Sequence, residues 1–219
     1  MSLLPCSLRS FYKKHKIGFY AANYQYQQAA AKSPHKMQEF AVTLARLIQQ
    51  EALIVYTDES SFNMWMKMKA TWMSASDPIK ITLNKHRGNG ITVIGAISEH
   101  LSKPLFMMAS STNAEEFMIF LKKLRSRFSS QKGRVIHLVL DNAAAHHHNL
   151  VKLLAARLKI ELMFLPAYTP ELNPIEALWG IIKKDFRKRL MMTKHIVKKQ
   201  PEFKQLLQDS LDAITPEVQ

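Results

Sequence analysis

Three carboxylates in this 219-residue chain stand where a divalent metal could be held. Asp141 closes the apolar, β-branched run 135–140, a pattern that predicts the C-terminal end of a buried strand. Asp58 closes a second apolar run, 52–57. Glu176 follows Asn173 and Pro174, a capping residue and a proline suited to the first helical position, so it falls in the first turn of a helix. Thirty-four residues, 142 to 175, separate Asp141 from Glu176. Two strand-end aspartates and a helix glutamate can converge on one edge of a sheet. Oxygen ligands of this kind suit hard divalent cations. The formal net charge of +14 favours a polyanionic partner, so the expected substrate of those cations is a nucleic-acid phosphodiester.

Each carboxylate also has a plainer reading. Asp58 can cap a turn or pair with a lysine. Asp141-Asn142 is a common turn pair. Glu176, as the third helical residue, can cap its own helix. Glu59 is adjacent to Asp58, and strand alternation points it to the opposite face, so only one of the two can share a site with Asp141. The helical wheel favours a working role for Glu176. Gly180, Lys183 and Arg187 fall on its face, while Ile175, Trp179, Ile182 and Phe186 form the adjacent stripe that should dock on a sheet.

Taken together, these segments give the chain its resemblance to a known family. Thr57-Asp58-Glu59-Ser60, Leu140-Asp141-Asn142-Ala143 with His146, and Leu165-Pro166 through Asn173-Pro174-Ile175-Glu176 to Trp179 are its matching blocks. The chain resembles the Asp-Asp-Glu transposases of the mariner superfamily and their bacterial insertion-sequence relatives, over roughly residues 50 to 190. The resemblance selects Asp58 over Glu59 and implies an RNase H-like catalytic domain with Asp58, Asp141 and Glu176 as catalytic and metal-binding triad. It places Asn142, His146, Asn173 and Trp179 near the site. It implies two Mg²⁺ ions, with Mn²⁺ able to substitute: Asp58 bridges both, and Asp141 and Glu176 hold one each. The implied enzyme is a metal-dependent DNA endonuclease and polynucleotidyl transferase. Water cleaves a phosphodiester at a transposon end, and the freed 3′-OH is transferred into target double-stranded DNA at a TA dinucleotide. A homodimer is implied as well.

The elements that must position these residues follow from periodicity. Helices are expected over 33–49, 113–128, 147–158, 173–190 and 202–213. Strands are expected over 53–58, 62–73 (with Trp65 and Trp72), 91–97, 105–108, 135–140 and 160–165, with a polar, basic loop over 74–90. That order fits an α/β mixed sheet flanked by helices. Three segments are expected: a basic N-terminal part and linker helix over 1–50, the catalytic domain over 51–192, and a helical tail over 193–219. Lys183, Lys184, Arg187, Lys188 and Arg189, with Lys194, Lys198 and Lys199 beyond, form a basic run contiguous with the site, and DNA contact is its expected use. His146-His147-His148 point in different directions on a helix and cannot all ligate one ion; His147 and His148 read as surface residues.

Composition removes other classes. Six glycines and no Gly-rich phosphate loop weigh against an ATPase or dehydrogenase. The single cysteine, Cys6, excludes an internal disulfide and a Cys-based zinc cluster. No apolar run approaches a membrane span, so no membrane partner is expected. Residues 1–38 contain no acid, which permits two readings. One is a mitochondrial transit peptide. The preferred one, on the match of Tyr12 to Ile17, is a short remnant of the helix-turn-helix that precedes the catalytic domain in this family. The expected location is the nucleus in a eukaryote, or the cytoplasm and nucleoid in a bacterium. Two rival functions stay open: a host-adopted, transposase-derived DNA-binding or scaffold protein without transposition, and a simpler nuclease without strand transfer.

Overall fold

In chain order, the computed structural model gives α1 (Pro34–Gln49), β1 (Leu53–Phe62), β2 (Ile91–Ile97), β3 (Leu105–Ala109), α2 (Ala114–Arg127), β4 (Ile136–Leu140), α3 (Asn149–Arg157), β5 (Ile160–Phe164), α4 (Ile175–Met192) and α5 (Gln200–Asp212). It describes residues 33–63, 90–131, 133–193 and 200–214, which all belong to the unit Lys32–Gln219. The expected helix-turn-helix remnant, Trp65 and Trp72, most of the basic loop, and Lys194, Lys198 and Lys199 lie outside the described residues. No helix among the described residues is long and apolar enough to cross a membrane.

The five strands form one mixed sheet in the order β3-β2-β1-β4-β5. β1 runs antiparallel to β2 and parallel to β4; β2 and β3 are antiparallel, and β4 and β5 parallel. The sheet is buried on both faces, so alternation sorts its side chains into two cores. Leu53, Val55, Leu138 and Leu140 join Phe117, Phe120, Leu121 and Leu124 of α2 and Val151 and Ala155 of α3 on one face. On the other, Phe62, Ile91 and Val93 meet Ile175, Trp179, Ile182 and Phe186 of α4, with Phe203, Leu207 and Leu211 of α5 beneath them. Next to that second core, Leu47 packs with Ile54, Val139 and Leu165, and Phe40 and Leu44 of α1 close over them. The apolar stripe read on α4 is thus the surface that docks, while Glu176 and Gly180 stay exposed.

Two local expectations are corrected. Asp58 does not end its strand: it is the sixth of ten residues in β1. The strand continues because β2 pairs with it from Tyr56↔Ile97 to Phe62↔Ile91, so Phe62 belongs to β1 and not to a second strand. Asn173 does not cap the following helix. α4 begins at Ile175, with Pro174 in the capping position and no side-chain cap bond. The Asn173 amide is spent elsewhere: its Nδ2 donates to the Thr57 carbonyl at 3.0 Å, in a buried contact with β1.

Candidate metal centre

β4 stops at Leu140 while β1 runs on, and this step in the sheet creates the site. The last paired residues of the two strands are Tyr56 and Val139, so continuing the register by two residues sets Asp58 level with Asp141. Asp58 therefore has β2 on one side, through its partner Gly95, and the end of a strand on the other. The same face carries α4. A Cβ added at Gly95 would stand 2.7 Å from Cη2 of Trp179, so only glycine lets the indole lie flat against β2 at this point. From that seat Trp179 Nε1 donates to Asp58 Oδ2 at 2.9 Å. Phe62 and Phe106 hold the indole, with ring centroids 6.2 and 5.8 Å away.

This packing has an electrostatic cost. Burial, followed by the charge of Glu176 and then of Glu59, pushes the Asp58 carboxyl up to about 7, despite bonds from Trp179 and the backbone that favour ionisation. Burial is the larger part of this cost and the nearby Glu176 carboxylate adds to it, so a cation at Asp58 would offset both. Glu176 lies on the exposed first turn of α4, with open space around Gly180 one turn on, while Asp58 is half-buried.

Asp141 sits differently. Its Oδ1 accepts from the Ala143 backbone N–H at 3.0 Å and lies 3.0 Å from His146 Nδ1. The other ring nitrogen, Nε2, is 2.8 Å from Glu59 Oε1. His146 is buried and its ring packs on Phe117, centroids 4.3 Å apart. Burial opposes charge on the ring, but the bonds to Asp141 and Glu59 outweigh it and raise the imidazole to about 10. The bond from His146 holds the Asp141 carboxyl below the usual range. One ligand atom each of Glu59, Asp141 and His146 lies within 4.8 Å of the others, so this trio has the spacing of a metal site. It already contains a cation, however, because at neutral pH the bridging ring is an imidazolium between two carboxylates. Among the described residues no cation pairs with Asp58 or Glu176, and that favours them as the place where an ion adds most.

Asn142 Nδ2 donates to the Leu165 carbonyl at 2.6 Å, fastening the end of β4 to the end of β5. His147 is exposed and stacks on Phe164, centroids 4.2 Å apart, and His148 caps α3 by accepting from the Leu150 N–H. Along α4, Lys183 is half-buried with Nζ 5.9 Å from the Phe62 ring centroid. Lys184 and Lys188 are exposed. Arg189 is paired with Asp185 at 2.6 Å, so it is the least available of the five expected phosphate contacts. Arg187 Nε is buried without a hydrogen-bond partner among the described residues.

Glu59 and Gly95 were missed as site residues from sequence. Alternation does send Glu59 to the α2 face, but Asp141 lies beyond β4, where strand alternation no longer fixes direction, and His146 spans the gap. A glycine inside the apolar run 91–97 was the available signal for the Trp179 seat.

A family model described as DDE superfamily endonuclease matches residues 53–197. The Tc3 transposase of Caenorhabditis elegans is 25% identical over 158 residues, covering 68% of this chain and 46% of that protein. The chain spans about half the length of the curated nematode transposases it matches. Among solved structures, the catalytic domain of Mos1 mariner transposase superposes with a TM-score of 0.59 at 14% identity, covering 91% of this chain and 88% of that one. The Mos1 mariner paired-end complex with Mn gives a TM-score of 0.64 at 15% identity, covering 97% of this chain and 64% of that one. At such identities the likeness shows the fold, an RNase H-like catalytic domain. On the extent of the family match, the chain belongs to the DDE superfamily endonucleases.

Proposed function

We propose that this chain is the catalytic part of a DNA transposase, with Asp58, Asp141 and Glu176 as its metal-binding triad. The observation that carries the reading is the placement of the carboxylates: Asp58 falls level with Asp141 at the step in the sheet, and Glu176, on the exposed first turn of α4, is near enough to add to the rise of the Asp58 carboxyl, in a chain with a net charge of +14. An all-oxygen donor set with unrelieved negative charge fits Mg²⁺ or Mn²⁺. A pair of such ions, when bound, would activate the attacking oxygen of a phosphodiester displacement and stabilise the leaving one. A solved relative of this fold was determined with Mn, which agrees with that choice.

The chain's own residues supply the rest. Trp179 fixes one oxygen of Asp58 and keeps water from that side. Asn173 locks the entry of α4 to β1 one residue before Asp58, so Glu176 is carried on the same rigid join. Lys183, Lys184, Arg187 and Lys188 extend the Glu176 side of α4 as contacts for a phosphate backbone. In the proposed reaction water attacks a phosphodiester at a transposon end and leaves a 3′-OH. That hydroxyl then attacks a target phosphodiester, joining to the phosphate while the target's own 3′ oxygen departs. Two copies acting on paired ends and a TA target are part of the proposal; the paired-end Mos1 structure supports the former.

The test uses the full chain with supercoiled plasmid and with a duplex bearing a pre-cleaved 3′-OH end, each with Mg²⁺ and with EDTA. Nicking and joining are expected only with the ion. Nicking without any joining would leave a simple nuclease, and binding without either would leave a scaffold.

A further inference from the structure

The site has a second layer that the triad does not use. Oδ1 of Asp141 is held twice, by the Ala143 N–H and by His146 Nδ1, each at 3.0 Å. Among the described residues nothing hydrogen-bonds Oδ2. The ring that holds Oδ1 is itself fixed at both ends and on its face. Its Nε2 bonds Glu59 at 2.8 Å, its Nδ1 also lies 3.3 Å from the Asp141 carbonyl, and Phe117 packs on the ring. The side chains are 1% exposed for His146 and 14% for Glu59, against 53% for Asp141. Two groups are thus buried at a desolvation cost, and a third is left free to meet a ligand.

We infer that Glu59 and His146 are positioning residues that fix Oδ1 of Asp141 and so present Oδ2 to a divalent cation. The inference rests on the triad proposed above. Its physical basis is general: a carboxylate that must ligate through one oxygen loses rotational freedom on binding, and a bond to the other oxygen removes that loss beforehand. Partners of this kind are worth about 10–100-fold in metal affinity. Glu59 acts at one remove, because without an acceptor at Nε2 the buried ring has no reason to keep Nδ1 on Asp141.

Mn²⁺ alone, titrated into the full chain without DNA and followed by electron paramagnetic resonance, tests this. The parent should bind saturably and Asp141→Ala should not. Glu59→Ala should bind about 10–100-fold more weakly while its circular dichroism stays that of the parent. Glu59→Gln, which keeps an acceptor for Nε2, should recover most of the loss. If Glu59→Ala does not fold, His146→Gln carries the test, since it keeps bulk but cannot bridge two carboxylates; at least a tenfold loss is expected. Pulsed spectra of the parent's bound Mn²⁺ should show no histidine nitrogen coupling. Parent-like affinity in folded Glu59→Ala, or a histidine nitrogen on the metal, overturns the inference alone. Absence of saturable binding in the parent overturns the metal-site reading beneath it as well.

Discussion

The two carboxylate groups at the end of β4 are neutralised in opposite ways. Glu59 and Asp141 share a buried imidazolium, so their charge is compensated from within the chain and Asp141 ionises more readily than usual. Among the described residues Asp58 and Glu176 share no cation, and the Asp58 carboxyl is pushed up to about 7. Nearly the same backbone position, Asp58 or Glu59, feeds both groups, one residue to each face of the sheet. On the proposed triad the contrast separates two roles: the imidazolium shared with Glu59 holds Asp141 in place, and the Asp58–Glu176 side, with no such partner among the described residues, is where a cation would add charge. A carboxylate perturbed by burial and a like-charged neighbour, as Asp58 is, is a frequent mark of a functional site.

The largest expected effect comes from breaking the proposed triad, which takes Asp141 from the first group and Asp58 and Glu176 from the second. Asp141→Ala removes a ligand while leaving the basic face of α4 intact. DNA cleavage should fall by about a thousandfold or more, as expected for several kcal/mol of lost metal stabilisation. Duplex binding, followed by fluorescence anisotropy, should change little. Appreciable residual cleavage with Mg²⁺ would remove Asp141 from the triad.

Stability should then separate the two groups in opposite directions. His146→Gln strips the cation from between two carboxylates and should cost about 3 kcal/mol at pH 7, because breaking a buried pair leaves charge uncompensated. Asp58→Asn should do the reverse. The folded-state value of about 7 lies above the ordinary 3.8, so protonation of Asp58 favours the fold. That contribution is complete below pH 4 and is lost as pH rises through 7. In EDTA, the asparagine should therefore raise unfolding free energy by roughly 2–4 kcal/mol at pH 8 and leave it nearly unchanged near pH 4. Urea unfolding at the two pH values measures both variants; a destabilised Asp58→Asn at pH 8 would deny that burial and the neighbouring carboxylates disfavour the Asp58 charge.

A smaller effect sharpens the Trp179 seat. Gly95→Ala drives a methyl against the indole and should cost roughly 1–3 kcal/mol of stability. It should also weaken Mn²⁺ binding, since the indole can no longer hold Asp58 Oδ2. The mildest change concerns the phosphate contacts. Replacing Lys183 and Arg187 with Gln should flatten the slope of log affinity against log salt by about two units, at about 0.9 per contact on duplex DNA. The loss should be similar on unrelated sequences. An unchanged slope would assign both residues to packing against Phe62 and the α4 core.

Much of this was legible in the sequence, and the exceptions share a cause. Apolar runs and helical spacing marked every described strand and helix to within a few residues, because each pattern is local and each face is buried. The three proposed carboxylates were singled out by runs that end in acid and by the Asn173-to-Trp179 block, and the register sets Asp58 level with Asp141. The extent of β1 was not legible, because residues 58 to 62 hold their strand through pairing with β2, whose partners run from Gly95 for Asp58 to Ile91 for Phe62, beyond the reach of a local pattern. Asn173 read as a cap because locally it is a good one; its actual partner, the Thr57 carbonyl, is 116 residues away. The Glu59–His146 bond spans 87 residues and joins two segments whose own patterns say nothing of each other. Local preference fails at the points where distant segments meet, and at this protein those points are the site.

The most direct test of the central claim is anomalous diffraction from crystals of the full chain soaked in Mn²⁺. The account predicts anomalous density in contact with Asp58, Asp141 and Glu176, with His146 still bonded between Glu59 and Asp141. Density seated instead on Glu59 and His146, with Asp58 and Glu176 left unliganded, would contradict it.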